Sequence, residues 1–199
     1  MIADAAAKPL GFQPGTRFSY DNTVYDLLGK IIENVSGQTY GTFLQEHIFQ
    51  PMNMSNTGFD PNRHDLAVGY KDQTGSVADP FNMWVAFSAG ALYSTTGDLY
   101  LWDQALYTNK LVSQKTLDTI FTTSVSISDA DGMGYGYGWM TGTDHQHKFV
   151  GHEGLAYGYR SIITRYPDDH VTIILLINQE NIDPSNIASL IANKLFGQE

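Results

Sequence analysis

The sequence predicts an α+β fold in which a helical region precedes an antiparallel sheet with a packed C-terminal helix. Residues 21–36 carry apolar side chains at helical spacing, residues 134–178 alternate strand-like runs with turns, and an Asp-Pro pair opens a last apolar helix. Because helices and strands are segregated along the chain, the pattern favours α+β over alternating α/β. We predict one structural unit, with a helical region over residues 1–133 and the sheet with its closing helix over residues 134–199.

The first helix is predicted over residues 21–36. Its apolar side chains recur three and four positions apart, which places them on one face: Val24, Leu27, Leu28, Ile31, Ile32 and Val35. Asp21 or Asn22 can cap the first turn, and Gly37 suits the end of the helix. The six side chains are therefore predicted to form one continuous apolar face.

The rest of the helical region is predicted from shorter signals. A second helix is expected over residues 39–48, and residues 53–91 are expected to form a long ordered loop with short elements. Thr95 and Asp98 have capping-box spacing ahead of a third helix. A further short helix is expected over residues 113–121.

Two hairpins are predicted in the sheet region. Strands over residues 135–140 and 147–150 flank an expected turn at residues 142–144. Strands over residues 159–166 and 170–178 flank a Pro-Asp-Asp turn. These hairpins predict an antiparallel meander.

The last strand and the last helix are predicted to pack together. Residues 171–177 are apolar except for Thr172, so we expect this strand to be covered on both faces. Asp183 and Pro184 start a helix with proline at its first position. Its expected inward face is Ile187, Leu190, Ile191 and Leu195.

Composition excludes several classes of function. The net charge of −10 argues against nucleic acid and against an anionic membrane surface as partners. There are no cysteines, which excludes disulfides and Cys-based catalytic or zinc sites. The longest strongly apolar run, residues 171–177, is too short to span a bilayer, so we predict no membrane segment.

Two short motifs carry groups suited to catalysis. Tyr20 and Asn22, at the entrance of the first helix, can aim a phenol for proton transfer and an amide for hydrogen bonding into one cleft. His152 and Gly154 lie at the end of a predicted strand, where glycine lets a ligand approach the backbone. Either motif alone is better explained by a purely structural role, as a buried aromatic with a helix cap or as a structural histidine.

Together with their surroundings, these motifs resemble those of the serine β-lactamase, penicillin-binding protein and esterase superfamily. The similarity is greatest to its class C β-lactamase and D-Ala-D-Ala carboxypeptidase branch. It runs in the family's order through residues 12–22, 25–29, 48–54, 89–95 with 98–99, 135–139 and 151–154. The resemblance implies a β-lactamase/transpeptidase-like fold and hydrolysis through an acylated serine, with no cofactor.

The resemblance also implies roles for individual residues. Tyr20 would assist proton transfer, and Asn22 would contact the substrate amide. His152 and Gly154 would line the cleft from the sheet edge. The backbone N–H of Leu155 would supply half of an oxyanion hole.

Glu153 stands where the family usually has a small residue that helps to bind a substrate carboxylate. A carboxylate at this position would oppose an anionic substrate, which favours esters or amine-bearing amides. By resemblance, the substrate of the full-length parent is a small molecule or a peptide, and the parent belongs to the bacterial cell envelope or is secreted.

The Ser-x-x-Lys motif of the superfamily is absent, because no lysine of the sequence has a serine three positions before it. We therefore predict no nucleophile in this chain, a fold incomplete at its N-terminus, and a C-terminal fragment that is inactive alone. The alternative is a natural non-catalytic protein that keeps the cleft for binding. Without its family neighbour, the strand over residues 171–177 would have a bare edge, which predicts dimers or association through that edge.

A metal protein is a third interpretation of the sequence. His145, His147 and His152 have a spacing that a strand hairpin could gather around a metal ion, although a polar turn explains the same residues. We predict no metal site.

Overall fold

The computed structural model describes residues 9–80, 82–128 and 132–197. In these ranges the helices are α1 (Asn22–Ser36), α2 (Tyr40–Leu44), a π-helical turn (Gln45–Phe49), α3 (Met83–Gly90), α4 (Thr96–Ala105), α5 (Gln114–Ile120) and α6 (Pro184–Phe196). The strands are β1 (Val125–Ser128), β2 (Met133–Gly136), β3 (Trp139–Asp144), β4 (His147–Ala156), β5 (Tyr159–Tyr166) and β6 (Val171–Ile177). No helix of the described ranges combines the length and apolar character that crossing a bilayer requires.

The strands form one antiparallel sheet in which every strand pairs with its chain neighbour, in the order β1-β2-β3-β4-β5-β6. Strand β4 pairs with β3 only as far as Gly151, whereas its pairing with β5 continues to Ala156. Residues 152–156 therefore have a strand on one side only within the described chain. On the outer side of the sheet, β6 pairs with β5 alone among the described strands.

Helix α6 covers one face of the sheet. Asp183 caps it through a 2.9 Å hydrogen bond from the Ser185 amide, and Pro184 occupies its first turn, as predicted. Its inward residues are Ala188 and Ala192, which lie in a core cluster with Ile162, Tyr166 and Ile173. The alanines let the helix approach the sheet closely.

The inward face predicted for α6 is wrong in part. Leu190 and Leu195 are 69% and 55% exposed, because Ala188 and Ala192 take the positions next to the sheet. Ile191 does pack against the core cluster. Strand β6 was predicted to be covered on both faces, and this is wrong in part. Its side chains that face α6 are covered, whereas Leu176 on the other face is 41% exposed.

A second core holds the helical region together: Tyr40, Leu44, Phe49, Met52, Met54, Phe87 and Ala105. Helix α1 joins it through Ile32 and through Gly29, where a side chain would overlap Phe87 and Ser88. Asp21 caps α1, and Gly37 ends it with a left-handed conformation, as predicted. The helix is therefore positioned by a close backbone contact rather than by its large apolar side chains.

Most of the apolar face predicted for α1 is exposed. Val24, Leu28, Ile31 and Val35 are 53%, 47%, 49% and 84% exposed. We call these residues the α1 stripe. They lie three or four positions apart on a helix whose cap residue, Asp21, directly follows Tyr20, so the stripe leads to the entrance of the predicted cleft.

A buried ion pair links the helical region to the other face of the sheet. Arg165 of β5 is completely buried and donates from Nε to Asp103 of α4 at 2.5 Å. Thr172 of β6 donates to the same carboxylate at 2.7 Å. Rings of Tyr107 and Phe121 lie 4.8 and 5.2 Å from the guanidinium carbon. Helices therefore cover both faces of the sheet.

Three elements differ from the sequence prediction. Helix α3 lies within the predicted loop, and β1 begins at Val125, so the sheet starts before residue 134. The turn expected at residues 142–144 is instead at His145 and Gln146, with φ of 47° and 70°. Positive φ at both positions suits a two-residue hairpin, but neither residue is the asparagine or glycine that usually signals one.

Candidate active site

The N-terminus of α1 places the Tyr-x-Asn motif beside the sheet. The Asp21 carboxylate accepts a 2.8 Å hydrogen bond from the Thr23 amide, which fixes the chain direction on either side of it. The Tyr20 ring is half exposed, with its centroid 5.9 Å from that of His152 and 6.3 Å from that of Tyr135. Asn22 is exposed at the start of the helix.

His152 extends from β4 and is held on both sides of its ring. Its Nδ1 lies 2.6 Å from the carbonyl oxygen of Glu153, and its Nε2 lies 3.1 Å from the hydroxyl of Tyr135. Phe18 packs against Tyr135 with ring centroids 5.1 Å apart. These rings form one aromatic wall of the cleft, which we define as Phe18, Tyr20, Tyr135 and His152.

The two phenols of this wall are held in the protonated form. Burial, with a smaller contribution from nearby Tyr25, raises the pKa of Tyr20 above its ordinary value. Burial is the main reason why the pKa of Tyr135 is raised as well. At neutral pH both groups can therefore donate a hydrogen bond or a proton to a partner in the cleft.

The sheet edge next to this wall has no strand on its β3 side among the described residues. Gly154 and Leu155 lie in residues 152–156 of β4, the segment that has no strand on its β3 side within the described chain. A side chain at Gly151 would come within 2.7 Å of the backbone oxygen of Ile163, so glycine is needed there for close strand pairing. The segment can offer backbone hydrogen bonds to a ligand beside Tyr20.

Glu153 lies apart from the other predicted site residues. Successive strand residues point to opposite faces, so its side chain is on the face opposite that of His152. Its carboxylate accepts a hydrogen bond from the hydroxyl of Ser185, at the start of α6. The structure thus brings the rings of Tyr20 and His152 together, places Gly154 two residues further along β4, and turns the Glu153 side chain towards α6.

The three histidines considered as metal ligands do not converge. His145 contacts Asn193 at 2.5 Å and His147 contacts Asp169 at 2.8 Å, whereas His152 contacts Tyr135. Over the part of the chain that the structure describes, no three His, Asp or Glu side chains are grouped closely enough to hold a metal ion.

Tyr135 is the site residue that sequence reasoning missed. It belongs to the Tyr-Gly-Tyr-Gly-Trp sequence at residues 135–139, which is part of the family resemblance. That resemblance assigned no function to Tyr135. Only the folded chain brings its hydroxyl from β2, across β3, to the imidazole of His152 on β4.

Comparison with known proteins identifies the family. The family model described as Beta-lactamase matches residues 1–195. This chain belongs to the beta-lactamase family. A penicillin-binding protein of Bacillus subtilis is 32% identical over 206 aligned positions, which cover 94% of this chain and 46% of the relative.

Solved structures of beta-lactamase-like proteins have the same fold. The octameric penicillin-binding protein homologue of Pyrococcus abyssi superposes with a TM-score of 0.83 at 30% identity. The superposition covers 94% of this chain and 44% of the homologue. A D-stereospecific amidohydrolase of Streptomyces superposes with a TM-score of 0.84 at 26% identity. The superposition covers 100% of this chain and 60% of the amidohydrolase. The predicted superfamily and β-lactamase/transpeptidase-like fold are confirmed. The chain spans about half the length of these beta-lactamase-family relatives.

Proposed function

We propose that this chain forms the Tyr-x-Asn and sheet-edge parts of a serine hydrolase cleft, and that a further segment supplies the serine to be acylated. The observation that carries the proposal is the 5.9 Å approach of the Tyr20 ring to the His152 ring, beside a segment of β4 that is paired on one side only among the described strands, in a beta-lactamase-family fold. The sequence contains no Ser-x-x-Lys motif, so we propose that the chain alone does not turn over substrate.

In this proposal Tyr20 transfers the proton. Burial raises its pKa, so the phenol is protonated at neutral pH and is a weak acid until a nearby cation lowers that pKa. Acting as a base would require a nearby cation that lowers this pKa, and the lysine of a Ser-x-x-Lys segment would be such a cation. Asn22 would contact the substrate amide, and the Leu155 N–H would stabilise the oxyanion.

We propose an ester or amide of a small molecule or peptide as the substrate class. Relatives described as a penicillin-binding protein and a D-stereospecific amidohydrolase support acyl transfer. The engagement of Glu153 with Ser185 removes the reason for excluding anionic substrates, because that carboxylate is on the opposite face of β4 from the cleft wall.

Exposed apolar surface supports association with a serine-bearing segment. The α1 stripe begins one helical turn from Tyr20, so a helix that packs on the stripe would lie next to the cleft. Covering these four aliphatic side chains, which are 47–84% exposed, would contribute roughly 3.5–7 kcal/mol, taking about 1.5–3 kcal/mol for complete burial of each. We propose that, without this segment, the chain dimerises or associates through the outer edge of β6.

Complementation tests the proposal. The purified chain should hydrolyse a chromogenic ester and a chromogenic cephalosporin only at the background rate, because loss of a nucleophile removes about 10⁶ in rate where catalytic groups act as a unit. Adding the Ser-x-x-Lys-bearing segment of a beta-lactamase-family relative, in trans or as a fusion, should restore turnover. Tyr20→Phe should abolish the restored activity.

Tyr137→Phe is the matched control, because this tyrosine is 67% exposed on the β2–β3 turn and should leave turnover unchanged. Turnover by the pure chain that Tyr20→Phe abolishes would contradict the proposal. So would a covalent adduct on any serine of the chain after treatment with an acylating inhibitor. Binding of ligand by a complemented complex that never turns over would instead support the non-catalytic alternative.

A further inference from the structure

The hydrogen bonds of His152 determine which ring nitrogen carries the proton. A backbone carbonyl oxygen can only accept, so the 2.6 Å contact between Nδ1 and the Glu153 carbonyl requires Nδ1–H as donor. In the neutral ring Nε2 is then the unprotonated nitrogen. The Tyr135 hydroxyl, 3.1 Å away, must therefore donate its single proton to Nε2, which leaves the Tyr135 oxygen to accept from Tyr25.

Tyr135 is well placed to act as a permanent donor. It is only 8% exposed, and β2 holds its backbone opposite Met140 in β3. The Phe18 ring packs 5.1 Å from its ring on one side, which restricts rotation. Burial raises the pKa of the Tyr135 hydroxyl, so the proton stays on its oxygen.

We propose that Tyr135 is a positioning residue that fixes the tautomer and the ring plane of His152. Through that ring it also sets the surface against which Tyr20 lies, since the Tyr20 ring is within 6.3 Å of both partners. Both imidazole nitrogens are occupied, so His152 serves as a rigid part of the cleft wall and leaves proton transfer to Tyr20. The tautomer assignment does not depend on the proposed function, whereas its effect on catalysis rests on it.

Nuclear magnetic resonance of the isolated chain, labelled with ¹⁵N-histidine, tests the assignment directly. In the wild type at neutral pH, His152 should be in the Nδ1–H tautomer, with an unprotonated Nε2. In Tyr135→Phe, loss of one hydrogen bond should shift the tautomer ratio towards Nε2–H by roughly 5- to 12-fold. Tyr137→Phe, two residues away on the same hairpin, should leave the ratio unchanged.

Two results would overturn the proposal: a wild-type His152 that carries its proton on Nε2, or a Tyr135→Phe protein with the wild-type tautomer ratio. The first result needs no variant, so the proposal stays testable even if Tyr135→Phe folds poorly. A general loss of structure would be seen in the other histidine signals, such as that of His47, which lies beside Phe43 in the helical region.

The complemented enzyme tests the catalytic consequence. Tyr135→Phe should lower kcat by roughly 10-fold with little change in KM, as expected when an outer hydrogen bond that orients a site residue is lost. If Tyr135→Phe leaves kcat unchanged in an active complex, Tyr135 has no effect on catalysis. If the wild-type complex is itself inactive, the proposed function fails, and the tautomer measurement still decides the role of Tyr135.

Discussion

Two single residues, Arg165 and Asp103, show how a charge can be placed inside this fold. The guanidinium lies between the rings of Tyr107 and Phe121, and the carboxylate accepts from both Arg165 and Thr172. Removing two charges from water is costly, and only their mutual attraction and added hydrogen bonds offset that cost. The pair is therefore sensitive to the loss of either member.

We expect Asp103→Asn to lower the free energy of unfolding by about 3–5 kcal/mol, because it leaves the buried guanidinium without a counter-charge. Urea denaturation followed by circular dichroism measures the change. The control is Asp65→Asn, which breaks the exposed Arg63–Asp65 pair and should leave the unfolding midpoint unchanged. Equal unfolding midpoints for both variants would show that the buried pair stabilises the fold no more than the exposed pair does.

Residue roles could be predicted from the sequence where a motif names them. Tyr20 and His152 were found in this way, and the fold brings their rings together. Tyr135 and Arg165 were not found, because a tyrosine in a glycine-rich run and an arginine in a strand have many uses. Their roles depend on partners that lie in other elements.

At the scale of elements, helix boundaries follow from side chains that act locally. Asp21, Thr95, Ser113 and Asp183 each accept a hydrogen bond from an amide of the first turn, and these caps could be predicted from sequence. Helix α3 escaped prediction, because it contains a non-helical residue, Phe87, with φ of 28°. Its position depends on the contact with Gly29 rather than on a periodic apolar face.

The junction of α1 and α2 contains a carboxylate that should make stability depend on pH. Glu33 accepts from Lys30 at 2.8 Å and from the Tyr40 amide at 3.0 Å, and the hydrogen bond from Lys30 is the main reason why its pKa is lowered. A carboxyl group whose pKa is lower in the folded than in the unfolded chain stabilises the fold above its unfolded pKa. This stabilisation is lost as the pH falls through the folded pKa.

We therefore expect the unfolding midpoint in urea to fall as the pH is lowered from about 5 towards 3, near and below the ordinary range of glutamate. Glu33→Gln should reduce this dependence. Lys30→Gln should reduce it by a smaller amount, since the Tyr40 amide still favours the charged carboxylate. Identical pH profiles for the wild type and Glu33→Gln would contradict the assignment.

For the whole molecule, the order of the sheet could be predicted because its connections are local. Each strand pairs with its neighbour in the chain, so hairpin signals were sufficient to predict a meander. The packing of α1 could not be predicted in the same way. Periodicity identifies an apolar face, but it does not specify which surface covers that face, and the α1 stripe is exposed here.

The edge of β6 gives a prediction about assembly. We expect the chain to self-associate as its concentration rises, because this apolar strand has a partner on one side only among the described strands. Leu176→Lys, at a position 41% exposed, should weaken the association, since lysine on an edge strand opposes pairing. Sedimentation velocity measures the effect.

Val112→Lys is the control, at a position 37% exposed in the connection between α4 and α5. It should leave the sedimentation profile of the wild type unchanged. The prediction fails if the wild type is a monomer at every concentration tested. It also fails if Leu176→Lys and Val112→Lys have equal effects, since the β6 edge would then not be the contact surface.

The Arg165–Asp103 pair also bears on how this polypeptide can be dissected. A cut in the connection before β1 would leave an unmatched positive charge in one piece and an unmatched negative charge in the other. Each piece would then have to hydrate a group that the intact molecule keeps dry. Limited proteolysis in that connection should therefore yield a nicked complex whose two products stay together, rather than two separable domains.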